Sequence, residues 1–250
     1  MESIKTLIIL FLWCGAIATA DDTLQKKLNN LVVATEEYPP ISFKNKQGRA
    51  DGLASEVAYR IMKKLNMKQS IHIWPWARDY KLLQKRPNYL VFSVSRTKQR
   101  EELFHWVGPI YSMKTGFYTK KSSPVVIHNL EDAKKVKKIG TYYESFDEQF
   151  LLKHNFTNLE STDNNIYNIK KLMRNRFDVI TATNVTIKAF MAKAGYTMDE
   201  IESRFDFLNV DAYFAFSKQV DEDVVLAWQK EFEKLQKSGE LHAIQEKWLK

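Results

Sequence analysis

From Leu31 to Phe92 the chain alternates two hydrophobic periods, and this alternation narrows its fold more than any other feature. Leu31-Val32-Val33-Ala34 is a short apolar run ended by the breaker Tyr38-Pro39-Pro40. Ala54, Val57, Ala58, Ile61, Met62 and Leu65 then recur at helical spacing, which predicts a helix with one buried face. Ser70-Ile71-His72-Ile73 reads as a second strand, Asp79 to Lys85 as a second helix, and Tyr89-Leu90-Val91-Phe92 as a third strand. Strands alternating with helices imply parallel pairing and an α/β fold.

A second such set starts near Lys114. Thr115–Tyr118, Lys137–Gly140 and Asp178–Ile180 read as strands, and Phe146–Lys153, Asn165–Arg174 and Asn184–Ala194 as helices. Val224, Val225, Trp228, Phe232 and Leu235 mark a long amphipathic helix that breaks near Gly239. No repeat, linker or low-complexity tract separates the sets, so two α/β units joined by strand-like crossings are expected.

Residues 1–20 are set apart as a secretory leader. Lys5 precedes the apolar run Leu7–Trp13, which is too short to span a bilayer, and Ala18-Thr19-Ala20 supplies the small residues of a cleavage site before Asp21. Bulky Trp13 before Cys14 argues against lipoprotein processing. Cleavage removes the only cysteine, so the exported chain must stand on its hydrophobic core without a disulfide, which its length permits. The formal charge of +8 is unchanged by losing Glu2 and Lys5. Its densest cluster, Lys134-Lys135-Val136-Lys137-Lys138, lacks the interleaved aromatics of a nucleic-acid site and reads as a solvated face.

Catalytic signatures are scarce. The five histidines show no metal-motif spacing, and there is no nucleophile elbow, zinc-protease helix or phosphate-binding loop. The acid pairs Glu36-Glu37 and Glu101-Glu102 read as solvated surface. No metal or cofactor is implied. The informative stretch is Trp74-Pro75-Trp76-Ala77-Arg78 at one strand end and Ser93 to Arg100 at another. In open α/β sheets ligands sit at the carboxyl ends of strands, and hydroxyls with a fork-shaped Arg make a carboxylate clamp.

These residues carry a resemblance. Leu31–Phe43 with its Y-x-P-x-x-F turn, Asp51-Gly52-Leu53, Ser95-Arg96-Thr97-Lys98-Gln99-Arg100, Gly108-Pro109-Ile110-Tyr111, Phe177-Asp178-Val179-Ile180 and the closing Gly239…Lys247-Trp248-Leu249 stand in order along the chain. Together they resemble the bacterial extracellular solute-binding proteins of family 3, the polar-amino-acid-binding type. The resemblance implies a two-lobed periplasmic-binding-protein-like fold (type II), with mixed sheets, flanking helices and a ligand cleft between lobes. Residues 21–113 and 212–250 would form the first lobe and 114–211 the second. It also implies a periplasmic monomer that traps a small carboxylate-bearing solute by hinge closure and delivers it to the permease of an ABC transporter. The alternatives are a cyclohexadienyl-dehydratase-like enzyme on the same scaffold and a soluble ligand-sensing subunit for a membrane receptor.

Carried over residue by residue, Arg100 grips the ligand's α-carboxylate, Ser95 assists it, and the Ser93 carbonyl meets the ammonium. Tyr38 packs on the ligand, with Trp74 or Trp76 opposite and Trp76 preferred. Ser145 opens a helix whose free amides suit an anion. The departures bear on the ligand. Thr183 stands where the family has an Asp for the ammonium, Glu144 replaces a Gly, and Arg78 adds positive charge. The ligand is therefore expected to carry a carboxylate, and it is either an acid without an α-ammonium or, with Glu144 as the missing acceptor, an amino acid.

Overall fold

A computed structural model describes residues 22–249, so the leader expected at 1–20 lies outside the described residues. Helix α1 (22–30) leads into an eight-stranded sheet of order β4-β1-β5-β10-β6-β9-β7-β8. At one end of the sheet β1 (Val32–Thr35) pairs in parallel with β4 (His72–Ile73) and β5 (Tyr89–Ser95). At the other, β7 (Ile139–Tyr142) pairs in parallel with β8 (Leu159–Thr162) and β9 (Val179–Thr183). Two antiparallel strands of 17 residues, β6 (Phe104–Lys120) and β10 (Ile201–Ser217), run through both groups. The fold is thus α/β with a mixed sheet, and two lobes share its central ribbon.

Each lobe is three-layered because the strands alternate faces. In β5, Leu90 and Phe92 pack under α2 (Leu53–Lys64) and the terminal helices α8 (Glu222–Lys237) and α9 (Glu240–Leu249), while Tyr89, Val91 and Val94 pack under α3 (Trp76–Lys85). In the second lobe, Tyr118 and Ile180 face α6 (Asn165–Met173) and α7 (Ile187–Ala194), and Phe117 and Val179 face α4 (Leu130–Lys134) and α5 (Phe146–Lys153). Helix α2 starts where it does because Gly52 holds a φ of 110° that a side chain would resist; a Cβ there would lie 2.6 Å from the Pro40 carbonyl oxygen. Pro40 and Ile41 carbonyls accept the first amides of α2, at 3.1 and 2.8 Å, so the turn after β1 is tied to the helix. A short hairpin of β2 (Phe43–Lys44) and β3 (Ala50–Asp51) bridges the two. Among the described residues no helix is long and apolar enough to cross a membrane.

Candidate functional site

The carboxyl ends of β1, β5, β7 and β9 converge between the lobes on a cavity of about 50 Å³. Tyr38, Trp76, Ser93, Ser95 and Arg100 line it from the first lobe, and Ser145 and Thr183 from the second. Seven of the ten residues singled out in the sequence therefore meet at one place. The lobes are drawn together across it. The Tyr38 hydroxyl lies 3.1 Å from Thr183 Oγ1, and the Trp76 indole N–H donates to the Glu144 carbonyl at 2.7 Å. At the rim, exposed Lys193 donates to Glu37 at 2.6 Å.

Arg100 is 1% exposed, and burial lowers the pKa of its guanidinium. Its carbon stands 5.0 Å from the Trp76 ring centre and 4.6 Å from that of Tyr80, and the two rings are stacked. An aromatic platform therefore holds the charge in place. Ser93 adopts a φ of 67°, a conformation a non-glycine residue keeps only when its surroundings impose it, and its buried Oγ has no partner among the described residues. Ser145 is the N-cap of α5, where its Oγ accepts from the Glu148 amide at 3.2 Å. Ser145→Ala is expected to cost about 1 kcal/mol of stability, the usual worth of a cap, as urea denaturation would measure. A variant with unchanged midpoint would show that the hydroxyl is idle in the fold.

Three nominated residues lie elsewhere. Trp74 stacks on His72 at 4.5 Å, on the outer side of the first lobe, and Arg78 covers it at 4.2 Å. Helix α3 opens at Trp76, so Arg78, two residues on, points about 200° around the axis from the cleft. Glu144 takes part through its backbone. Its φ of 60° turns the carbonyl toward the first lobe, where it accepts from Trp76 and, at 3.2 Å, from Arg100 Nη2. Glu148 fixes that loop: its Oε2 accepts the Glu144 amide at 2.7 Å, and its Oε1 accepts from Thr141 at 2.9 Å and from Ser161.

One reading is corrected. Glu36 is not solvated surface; it follows β1 directly into the cleft, is buried, and lines the cavity, while its neighbour Glu37 stays at the rim. Burial pushes its carboxyl up to about 8, against the lowering influence of the Tyr142 hydroxyl and Arg100. Its Oε2 has no partner among the described residues. Asp147, in the first turn of α5, also lines the cavity. Charge alone concealed both acids, whereas the position of Glu36 at the end of the first strand would have indicated it. The cavity thus holds a buried cation and two buried acids. Among the described residues no cluster could hold a metal ion.

The profile of the bacterial extracellular solute-binding proteins, family 3, matches residues 31–250. The L-cystine-binding protein TcyJ of Escherichia coli K12 is 25% identical over 92% of this chain and 87% of its own. The membrane-bound lytic murein transglycosylase F of Nitrosospira multiformis is 24% identical over 96% of this chain, which spans only 52% of that relative's length. Among solved structures, a histidine kinase sensor domain similar to periplasmic binding proteins superposes with a TM-score of 0.79, at 16% identity, over 88% of this chain and 96% of its own. An ancestral arginine-binding protein bound to arginine gives 0.77 at 22% identity, over 89% of this chain and 100% of its own. At such identities the two structures speak for the fold alone.

Proposed function

The chain belongs to family 3 of the bacterial extracellular solute-binding proteins, and from that membership we propose that it captures an amino acid or closely related solute by closing its lobes. The observation that carries this reading is the pairing of buried Arg100 with buried Glu36 and Asp147 on one cavity. A guanidinium suits a carboxylate, and acids lining the same cavity suit an ammonium, so a zwitterion offsets the burial of both. The acceptor that Thr183 cannot provide is then supplied by Glu36 and Asp147 rather than by Glu144, which favours the amino acid over an acid without an ammonium. Thr183 itself is engaged with Tyr38 and, at 2.8 Å, with Thr186. Ser93 and Ser95 complete the first-lobe side of the site, and Trp76 and Tyr38 wall it.

In this reading residues 1–20 are the cleaved leader, residues 21–113 and 212–250 form one lobe, and 114–211 form the other. The protein works as a periplasmic monomer, and its closed form is what the permease of an ABC transporter engages. The test is a thermal-shift screen with L-arginine, L-glutamine, L-cystine, dicarboxylates, aromatic acids and short peptides. Agmatine, which is arginine without its carboxylate, serves as the control. A ligand present at a hundredfold excess over its Kd stabilises the fold by about 2.7 kcal/mol, roughly 5–10 °C for a chain of this size. A shift with an amino acid and none with agmatine supports the reading. Equal shifts with arginine and agmatine would remove the carboxylate from it, and chemical conversion of a hit would move the protein into the enzyme class.

A further inference from the structure

We propose that Gln149 is a built-in competitor for the ligand's carboxylate: reaching from the second lobe, it fills the fork of Arg100 and must be displaced before a ligand can occupy it. This rests on the reading of Arg100 as the carboxylate anchor.

Gln149 Oε1 accepts from Arg100 Nε at 3.1 Å and from Nη2 at 3.0 Å. Those two N–H groups form the side edge of the guanidinium, one of the two edges that a carboxylate can engage with two parallel hydrogen bonds, and Gln149 meets it from beside the cavity rather than from its lining. The amide's orientation is set by its other end. Gln149 Nε2 donates to the Glu144 carbonyl at 3.3 Å and to Glu144 Oε2 at 3.2 Å. The reverse orientation would point donors at donors and oxygen at oxygens. Arg100 Nη2 also meets the Glu144 carbonyl, so one loop and one helix turn of the second lobe together occupy a charge anchored in the first.

Two features make the contact exchangeable. An amide oxygen carries no formal charge, so a carboxylate makes the stronger bond to the same edge. Gln149 is also only half-buried. On its outer side it borders a surface groove of about 650 Å³ that is lined as well by Arg78, Lys81 and Lys85 of α3 and by Tyr143 of the second lobe. The displaced side chain can swing into that groove, whose three cations outweigh the one acid lining it, Glu144, and favour an approaching anion. Arg78 thus stands outside the gate rather than inside the site. Because Arg100 and Gln149 belong to different lobes, their bond also holds the lobes together, and ligand affinity is reduced by the fraction of molecules so held.

The test compares Gln149→Ala and Gln149→Glu with the parent in two measurements on the purified protein. In small-angle X-ray scattering without added ligand, Gln149→Ala should have a larger radius of gyration than the parent. Gln149→Glu should stay as compact as the parent, because it gives Arg100 a full carboxylate although its second oxygen loses the bonds to Glu144. In titrations with the amino acids of the screen, Gln149→Ala should bind about tenfold tighter, the scale of one charge-assisted hydrogen bond no longer competing. Gln149→Glu should lose its response. A Gln149→Ala protein matching the parent in compactness and affinity would overturn the proposal, as would a Gln149→Glu protein that binds like the parent. No response to any carboxylate from either the parent or Gln149→Ala would overturn it too. If Arg100→Ala binds as well as the parent, the anchor reading fails; if Arg100 proves essential and Gln149→Ala is neutral, the competitor alone fails.

Discussion

Arg100→Ala is expected to lower ligand affinity about thirtyfold or more while leaving the ligand-free fold standing. Truncating one partner of a buried, hydrogen-bonded charge pair costs about 2–5 kcal/mol of binding, because the other charge is left desolvated and unmatched. The fold loses less. Arg100 meets Gln149 and the Glu144 carbonyl through bonds that join the two lobes rather than through contacts that build either core. Removing a buried charge also returns its desolvation cost. Arg100→Lys should not restore binding, since an ammonium lacks the planar fork and the flat face that rests against Trp76 and Tyr80. Calorimetric titration with the best ligand of the screen, beside a melting curve of each variant, checks this. Full affinity in Arg100→Ala would place the carboxylate elsewhere.

Glu36→Gln should make the ligand-free protein more stable at pH 8 and leave it unchanged near pH 4. Burial pushes the folded carboxyl up to about 8, whereas the unfolded chain ionises near 4.5. Between those values the folded form holds a proton that the unfolded form has released, so stability falls as pH rises through the window and levels off above it. Each pH unit in the window costs roughly 1.4 kcal/mol per proton so held, and the variant escapes a total of a few kcal/mol. Asp79, buried behind Trp76 with its Oδ1 accepting from the Tyr89 hydroxyl at 3.0 Å, is pushed up to about 7, chiefly by burial. It contributes a second decline, between about pH 4 and 7, that the variant retains. Ligand binding should run the other way. An ammonium beside Glu36 favours the ionised carboxylate, so affinity for an amino acid should rise toward pH 8 in the parent and lie flatter in the variant. Parallel pH–stability curves for the two proteins would count against a buried, protonated Glu36.

The elements that could be read in the sequence are those whose burial is one-sided or continuous. Helix α5 falls on the residues its pattern marks, α6 ends one residue short of its pattern, and α2 is offset from its pattern by one residue at each end. Strand β6 was legible only at Thr115–Tyr118, because Gly108-Pro109 and a run of half-buried residues break its pattern upstream. Strand β10 has no clear pattern in the sequence because the stretch from Glu202 to Asn209, which pairs within the second lobe, alternates little and is half-exposed. Of the site, Arg100, Ser95 and Ser145 were reached through the family's motifs. Glu36, Asp147 and Gln149 were not, since a polar residue in a cleft and one on a surface look alike until distant segments are brought together. Trp74 and Arg78 show the converse: each is two residues from Trp76 of Arg100's platform in sequence, yet they face outward because the helix begins between them.

The shared ribbon of β6 and β10 has a consequence for how the molecule comes apart. The two strands pair from Ile201 with Lys120 to Ser217 with Phe104, and apart from the β2–β3 hairpin each lobe's remaining strands are appended to one side of that ladder. Neither lobe owns a complete sheet, so neither can melt and leave the other with its edges paired. Heat or denaturant should therefore meet one cooperative unit, in which the ribbon's amides are expected to exchange with solvent last, as hydrogen exchange would measure. Tightening the cleft protects backbone well beyond the cavity.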